Sequence, residues 1–184
     1  MNTIAIKDLI AKVVQKASDK VYPPGPSQTT AINFLHGHPL EIIKVLNSYN
    51  EDPVLKNKKY PLFALFQDFR EKMNPAIGVY AEVSLNCIIA NFTENTLLAP
   101  ERYEKNFNPT LYPIYKAFLE ELSRSGYFLG YKDGIKHDKF DRLYWGRDGL
   151  YGKEGNIFSD FIDAIEIQNL TLLIDQKICK SWQP

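Results

Sequence analysis

Residues 78–91, G-V-Y-A-E-V-S-L-N-C-I-I-A-N, alternate apolar and polar side chains almost without a break. Val79, Ala81, Val83, Leu85, Cys87 and Ile89 share one parity, and Tyr80, Glu82, Ser84 and Asn86 share the other. Successive side chains of a strand point to opposite faces, so this stretch predicts a long antiparallel β-strand with one buried and one wet face. It anchors an α+β fold and brings no catalytic group of its own.

The elements around it follow from spacing and punctuation. Ile6, Leu9, Ile10, Val13, Val14 and Ala17 recur at helical intervals opposite Lys7, Asp8, Lys12, Gln15 and Lys16, which predicts an amphipathic helix over 3–19. Thr3 is its expected N-cap, and the prolines at 23, 24 and 26 stop it. A short strand is expected at Ile32–Leu35, a short helix at Leu40–Asn47 and a polar loop over 50–59. Tyr60–Phe69 is apolar at both parities and reads as a central strand covered on two faces, paired as a meander with the long strand. Pro100 and Glu101 open a helix, Asn108–Pro109 interrupts it, and Leu111, Tyr115, Phe118, Leu119 and Leu122 form the stripe of a second helix ending at Gly126. Asp163–Asp175 is a last strand whose inward phase changes near Asn169, the signature of a bulge. The expected fold class is α+β, an antiparallel sheet with helices packed on one face, in a single domain over 1–184. A glycine- and aromatic-rich insertion occupies about 127–160.

Composition narrows the function. The 22 basic and 22 acidic side chains cancel, so the electrostatic footprint of a protein that grips nucleic acid is missing overall. Aromatic residues make up 13 % of the chain, with 11 Tyr and 11 Phe, which suits protein–protein contact. Cys87 lies on the apolar parity as an inert buried thiol; a disulfide to the distant Cys179 has no support in the sequence beyond being possible, and a reducing compartment is expected. The first residues lack a signal-peptide core, and no apolar run is long enough for a membrane span, so synthesis in the cytoplasm without membrane contact is expected.

Candidate chemistry is sparse. His36 and His38 with Glu41 are the nearest approach to a zinc site, set against an ordinary turn at Pro39. Asp138, Asp141 and Asp148 alternate with Lys139, Arg142 and Arg147 but lack the calcium-loop pattern. Ser84, Ser123 and Ser159 have no nucleophile-elbow context. Lys56, Lys58 and Lys59 form a short basic cluster that either faces DNA or is a solvated loop. The expectation is a non-enzyme with no catalytic residue, metal or cofactor. Tyr144, Trp145 and Tyr151, rimmed by Arg142 and Arg147, are the expected interface anchors.

The order helix, extended arm, central strand, long alternating strand, helix and terminal strand resembles that of phage tail-completion proteins. The residues that carry the resemblance are Tyr60–Phe69, a proline before an apolar run, and Val83–Thr93 with its A-N-F-T ending. Pro100–Tyr103, Asn106–Pro109 and Leu111–Tyr115 follow. These blocks are similar to the long strand and packing helix of the tail-terminator and head–tail joining family. Residues 144–146 and 163–173 also resemble proteins of Bacteroidetes phages and prophages, the crAss-like group included. The resemblance implies a structural virion protein in the neck or tail, assembled in the host cytoplasm. It would form a homo-oligomeric ring, a hexamer or dodecamer, between a portal or adaptor ring and a tail tube or hub. Genomic DNA would pass through its lumen. The alternatives are a small enzyme or ligand-binding protein using the 127–160 loop as a pocket, and a host-side interaction protein.

Overall fold

A computed structural model describes residues 3–26, 30–73, 76–77, 79–129, 134–146 and 160–175. The alternating stretch forms β4 (Val79–Phe92), the centre of the sheet. Ala81, Val83, Leu85, Cys87 and Ile89 are buried, while Glu82, Ser84 and Asn86 between them are half-exposed. β7 (Ile162–Asp175) runs antiparallel along one whole edge of β4. Two shorter strands share the other edge in series: β2 (Leu62–Phe66) opposite Cys87–Ala90, and β3 (Arg70–Met73) opposite Ala81–Ser84. From Leu62 to Arg70 is eight residues against six from Ala90 to Ser84, so the strand predicted at 60–69 breaks where the extra residues are absorbed. β5 (Phe128–Leu129) and β6 (Asp138–Arg142) line the far side of β7.

β1 (Asn33–Gly37) lies outside β2 and runs parallel to it, which corrects the expectation of a purely antiparallel sheet. The cause is the connection. Between β1 and β2 the chain folds α2 (Pro39–Ser48), a 3₁₀ turn (Tyr49–Glu51) and α3 (Pro53–Lys56), the length of crossover a parallel pair requires. The loop expected over 50–59 therefore contains helix, started by Asp52, whose carboxylate accepts from the Val54 and Leu55 amides at 2.7 and 3.3 Å.

Helices cover both faces, not one. α1 (Thr3–Val21) buries Ile6, Leu9, Ile10, Val13, Val14 and Ala17, the predicted stripe, together with α5 (Tyr112–Arg124) on the apolar face of β4. On the opposite face α2 buries Ile42, Ile43 and Leu46 against Leu62, Ala64, Ile88, Ala90, Ile162 and Ala164. This second core exists because β2 is apolar at both parities, as is β4 from Ile88 to Ala90. Leaving such a strand uncovered would cost about 1.5–3 kcal/mol for each large aliphatic side chain. α2 covers only part of this face, and among the described residues no other helix covers the rest.

Pro109 does not interrupt the helix. α4 (Ala99–Arg102), a π-helical segment (Tyr103–Leu111) and α5 form one continuous helical run. The π segment widens the turn around a residue that has no N–H to donate, and the Tyr112 amide reaches back to the Phe107 carbonyl. The bulge at Asn169 is present. Leu85 pairs with Leu170 but Cys87 with Ile167, so Asn86 faces an extra residue. Asn169 adopts the left-handed conformation (φ 54°) that asparagine tolerates well.

Candidate functional site

Of the expected interface residues, Trp145 serves the fold from inside. Trp145 is 3 % exposed and belongs to the second core, and its amide donates to the Ile162 carbonyl at 2.9 Å. Tyr144, at φ 53°, donates its amide to Asp163 Oδ1 at 3.1 Å and its hydroxyl to the Leu97 carbonyl at 3.3 Å. The Arg102 guanidinium stacks on its ring at 3.6 Å. Arg102 and Asp163 are fully buried and joined Nη1 to Oδ1 at 2.7 Å. Arg102 also donates to the carbonyls of Leu97 and Glu94, both at 2.9 Å, and Asn106 Nδ2 donates to Asp163 Oδ2 at 3.1 Å. This clasp ties the 138–146 segment, the helical run and β7 together. Trp145 is thus not presented outward, because the return of β6 onto β7 carries it into the second core, while Tyr144 is half-buried against Arg102. Arg142 is partly exposed, donates Nε to Glu166 Oε2 at 2.7 Å and lies over the Phe140 ring. Tyr151, Arg147, Asp148, Ser159 and Cys179 lie outside the described residues.

His38 and Glu41 are a helix cap. The Leu40 amide donates to His38 Nδ1 at 3.2 Å, and the His38 amide donates to Glu41 Oε2 at 3.3 Å, a reciprocal capping box at the start of α2. His36 points to the other face, with its ring against Phe69 and its Nε2 without a hydrogen-bond partner. Burial, then the nearby Lys7, lowers its pKa, while Asp8 opposes them. Among the described residues no three His, Cys, Asp or Glu side chains converge as a metal set. Asp138 and Asp141 diverge by parity: Asp138 accepts from Asn169 Nδ2 at 2.8 Å, and Asp141 from the Tyr112 hydroxyl at 2.6 Å and from Lys139. Lys59, of the basic cluster, is buried in an ion pair with Asp160 and donates to Asn50 Oδ1 at 3.0 Å, so only Lys56 and Lys58 face solvent. Ser123 donates to its own helix at the Glu120 carbonyl. The Cys87 thiol is buried, and its pKa is pushed far up by that burial.

Residues with no signal in the sequence gather where β6 meets the helices. Lys139 sits over the rings of Tyr112 (4.8 Å) and Tyr115 (5.6 Å), and Tyr115 shares a 2.6 Å hydrogen bond with His137 Nε2. Desolvation, then the Asp141 hydrogen bond and charge, raise the Tyr112 pKa. The cluster is internally paired and packs β6 onto α5.

Two surfaces are left open among the described residues. The first is the outer edge of β1. The Asn33 amide donates to the Pro61 carbonyl at 2.8 Å, so in a parallel ladder Phe34 and His36 direct their backbone groups away from β2. Among the described residues no strand pairs with that edge. It bears no charged side chain, unlike Arg70–Glu71–Lys72 on β3 and Asp138–Arg142 on β6. The second is the part of the wet sheet face beyond α2. A hollow of about 430 Å³ lies there, lined by His38, Pro39, Phe66, Gln67, Asp68, Asn86, Glu166 and Gln168.

Comparisons with protein-family models, curated proteins and solved structures found no match to this chain.

Proposed function

We propose that this chain is a structural subunit that assembles with copies of itself into a closed ring, in the manner expected of a phage neck or tail-completion protein. The observation that carries the reading is the open sheet, whose two sides differ. One side ends in the uncharged backbone edge of β1 and the other in β5 and β6. Contact between two different edges is heterologous, and such contacts close into rings when the rotation allows. Main-chain pairing at an exposed edge supplies the affinity, and Met73 and Ile77, exposed at the turn between β3 and β4, add apolar surface. The ring's place between portal and tail, and DNA within its lumen, rest on the sequence resemblance.

The test is a light-scattering mass of the wild type beside His36→Pro. Proline at that position removes an outward N–H and leaves the β1–β2 ladder intact. An oligomer that falls to monomer, with a thermal melt showing the subunit still folded, supports the reading. A monomeric wild type at high concentration, or a variant that assembles unchanged, overturns it.

A further inference from the structure

We infer that the hollow on the wet sheet face is a binding site for an uncharged sugar. The argument begins with what holds its walls. Asn86, on β4, donates Nδ2 to Asp68 Oδ2 at 3.2 Å and accepts the Asn169 amide at 3.0 Å, so the β-bulge fixes its plane. Glu166, on β7, is held from both sides: Arg142 Nε at 2.7 Å on one oxygen, Gln168 Nε2 at 2.7 Å on the other. His38 accepts the Leu40 amide at Nδ1, which leaves Nε2–H as a donor in the neutral ring. The hollow is therefore lined by planar carboxylate, amide and imidazole groups whose orientations are set before any ligand arrives. Pre-set polar groups spare a ligand the cost of ordering them.

The chemistry of those groups selects the ligand. The lining contains both donors and acceptors, from His38, Gln67, Asp68, Asn86 and Gln168. A hydroxyl is at once donor and acceptor, so a polyol meets the N–H groups and lone pairs these residues still have free, which an apolar ligand would leave unmet. Charge disfavours anionic ligands. Asp68 and Glu166 are two carboxylates against one guanidinium, Arg142, which Glu166 already engages. A phosphate or carboxylate ligand would meet net repulsion. Phe66 and Pro39 supply the apolar surface on which the C–H face of a sugar ring rests. The volume of about 430 Å³ suits one or two rings and lies within the usual range for small-ligand sites. The site is independent of the ring assembly, because it lies on the sheet face and not on the β1 edge.

The experiment is ¹H–¹⁵N NMR titration of the full chain with glucose, galactose and maltose, beside glucuronate and glucose 6-phosphate as anionic counterparts. The expected result is saturable shifts at Asn86, Gln168 and the α2 start, with Kd at about the millimolar level. The anionic sugars should bind at least about tenfold more weakly, and Asp68→Ala and Gln168→Ala should each weaken the neutral sugar by about tenfold. Absent or non-saturating shifts, shifts elsewhere on the protein, equal binding of the anionic sugars, or affinities unchanged in Gln168→Ala would each overturn the proposal. The wild-type comparison of neutral and anionic sugars decides the matter even if Asp68→Ala fails to fold.

Discussion

Arg102 and Asp163 set the energetic stakes at the scale of single residues. Both are fully buried, and each polar atom of the guanidinium has a partner, so the pair costs little while intact. Arg102→Met leaves a carboxylate stranded in the interior, and chemical denaturation should show a loss of about 3–5 kcal/mol. Replacing both partners by apolar residues should recover much of that loss. Trp145→Ala opens a cavity in the second core, and a thermal melt of the subunit should reveal a cost of about 3–5 kcal/mol whether or not the protein assembles. His36 makes a pH prediction. Its lowered pKa means that below about pH 6.5 the unfolded chain takes up a proton that the native imidazole resists. Stability therefore falls as pH drops from 6.5 towards the lowered native value. His36→Gln should flatten that part of the profile, measured as denaturation midpoints across the window.

At the scale of elements, capping and register are the decisive devices. α2 starts at a histidine whose ring nitrogen replaces the usual Ser or Asp oxygen, answered by Glu41. His38→Ala should cost about 1 kcal/mol, and His38→Asp should restore most of it, both read by denaturant titration. A zinc role for the pair would instead give metal-dependent stability. The bulge at Asn169 shifts the pairing of β7 by one residue, so that Leu170, Leu172 and Ile174 keep facing the helices after Ile165 and Ile167. Without it, every side chain beyond would turn to the wrong face.

At the scale of the whole molecule, the sheet is mixed, covered on one side by α1 and α5 and, among the described residues, on part of the other by α2 and Trp145. No helix among the described residues is long and apolar enough to cross a membrane. An assembly that pairs the uncharged β1 edge main chain to main chain should depend on protein concentration and respond weakly to salt, since the charges of β6 meet no opposite charge on β1. Sedimentation at low and high ionic strength measures this, and dissociation by salt would point to a contact between the charged β3 and β6 edges instead.

The alternation of residues 79–89, the helical stripe of residues 6–17 and the phase change at Asn169 were each readable in the sequence. They are local periodicities, and burial of one face follows from them directly. The parallel placement of β1 was not readable, because strand direction depends on how the α2 crossover packs and leaves no periodic trace. The helix through Pro109 was hidden for a related reason: a π turn is selected by what its residues reach, here Asp163 through Asn106, not by their propensities. The fate of Tyr144 and Trp145 was likewise decided in three dimensions. An aromatic pair in a glycine-rich segment reads the same whether it faces a partner or its own core. The return of β6 onto β7 buried Trp145, just as α2, among the described residues, stops short of the hollow at Asn86 and Glu166.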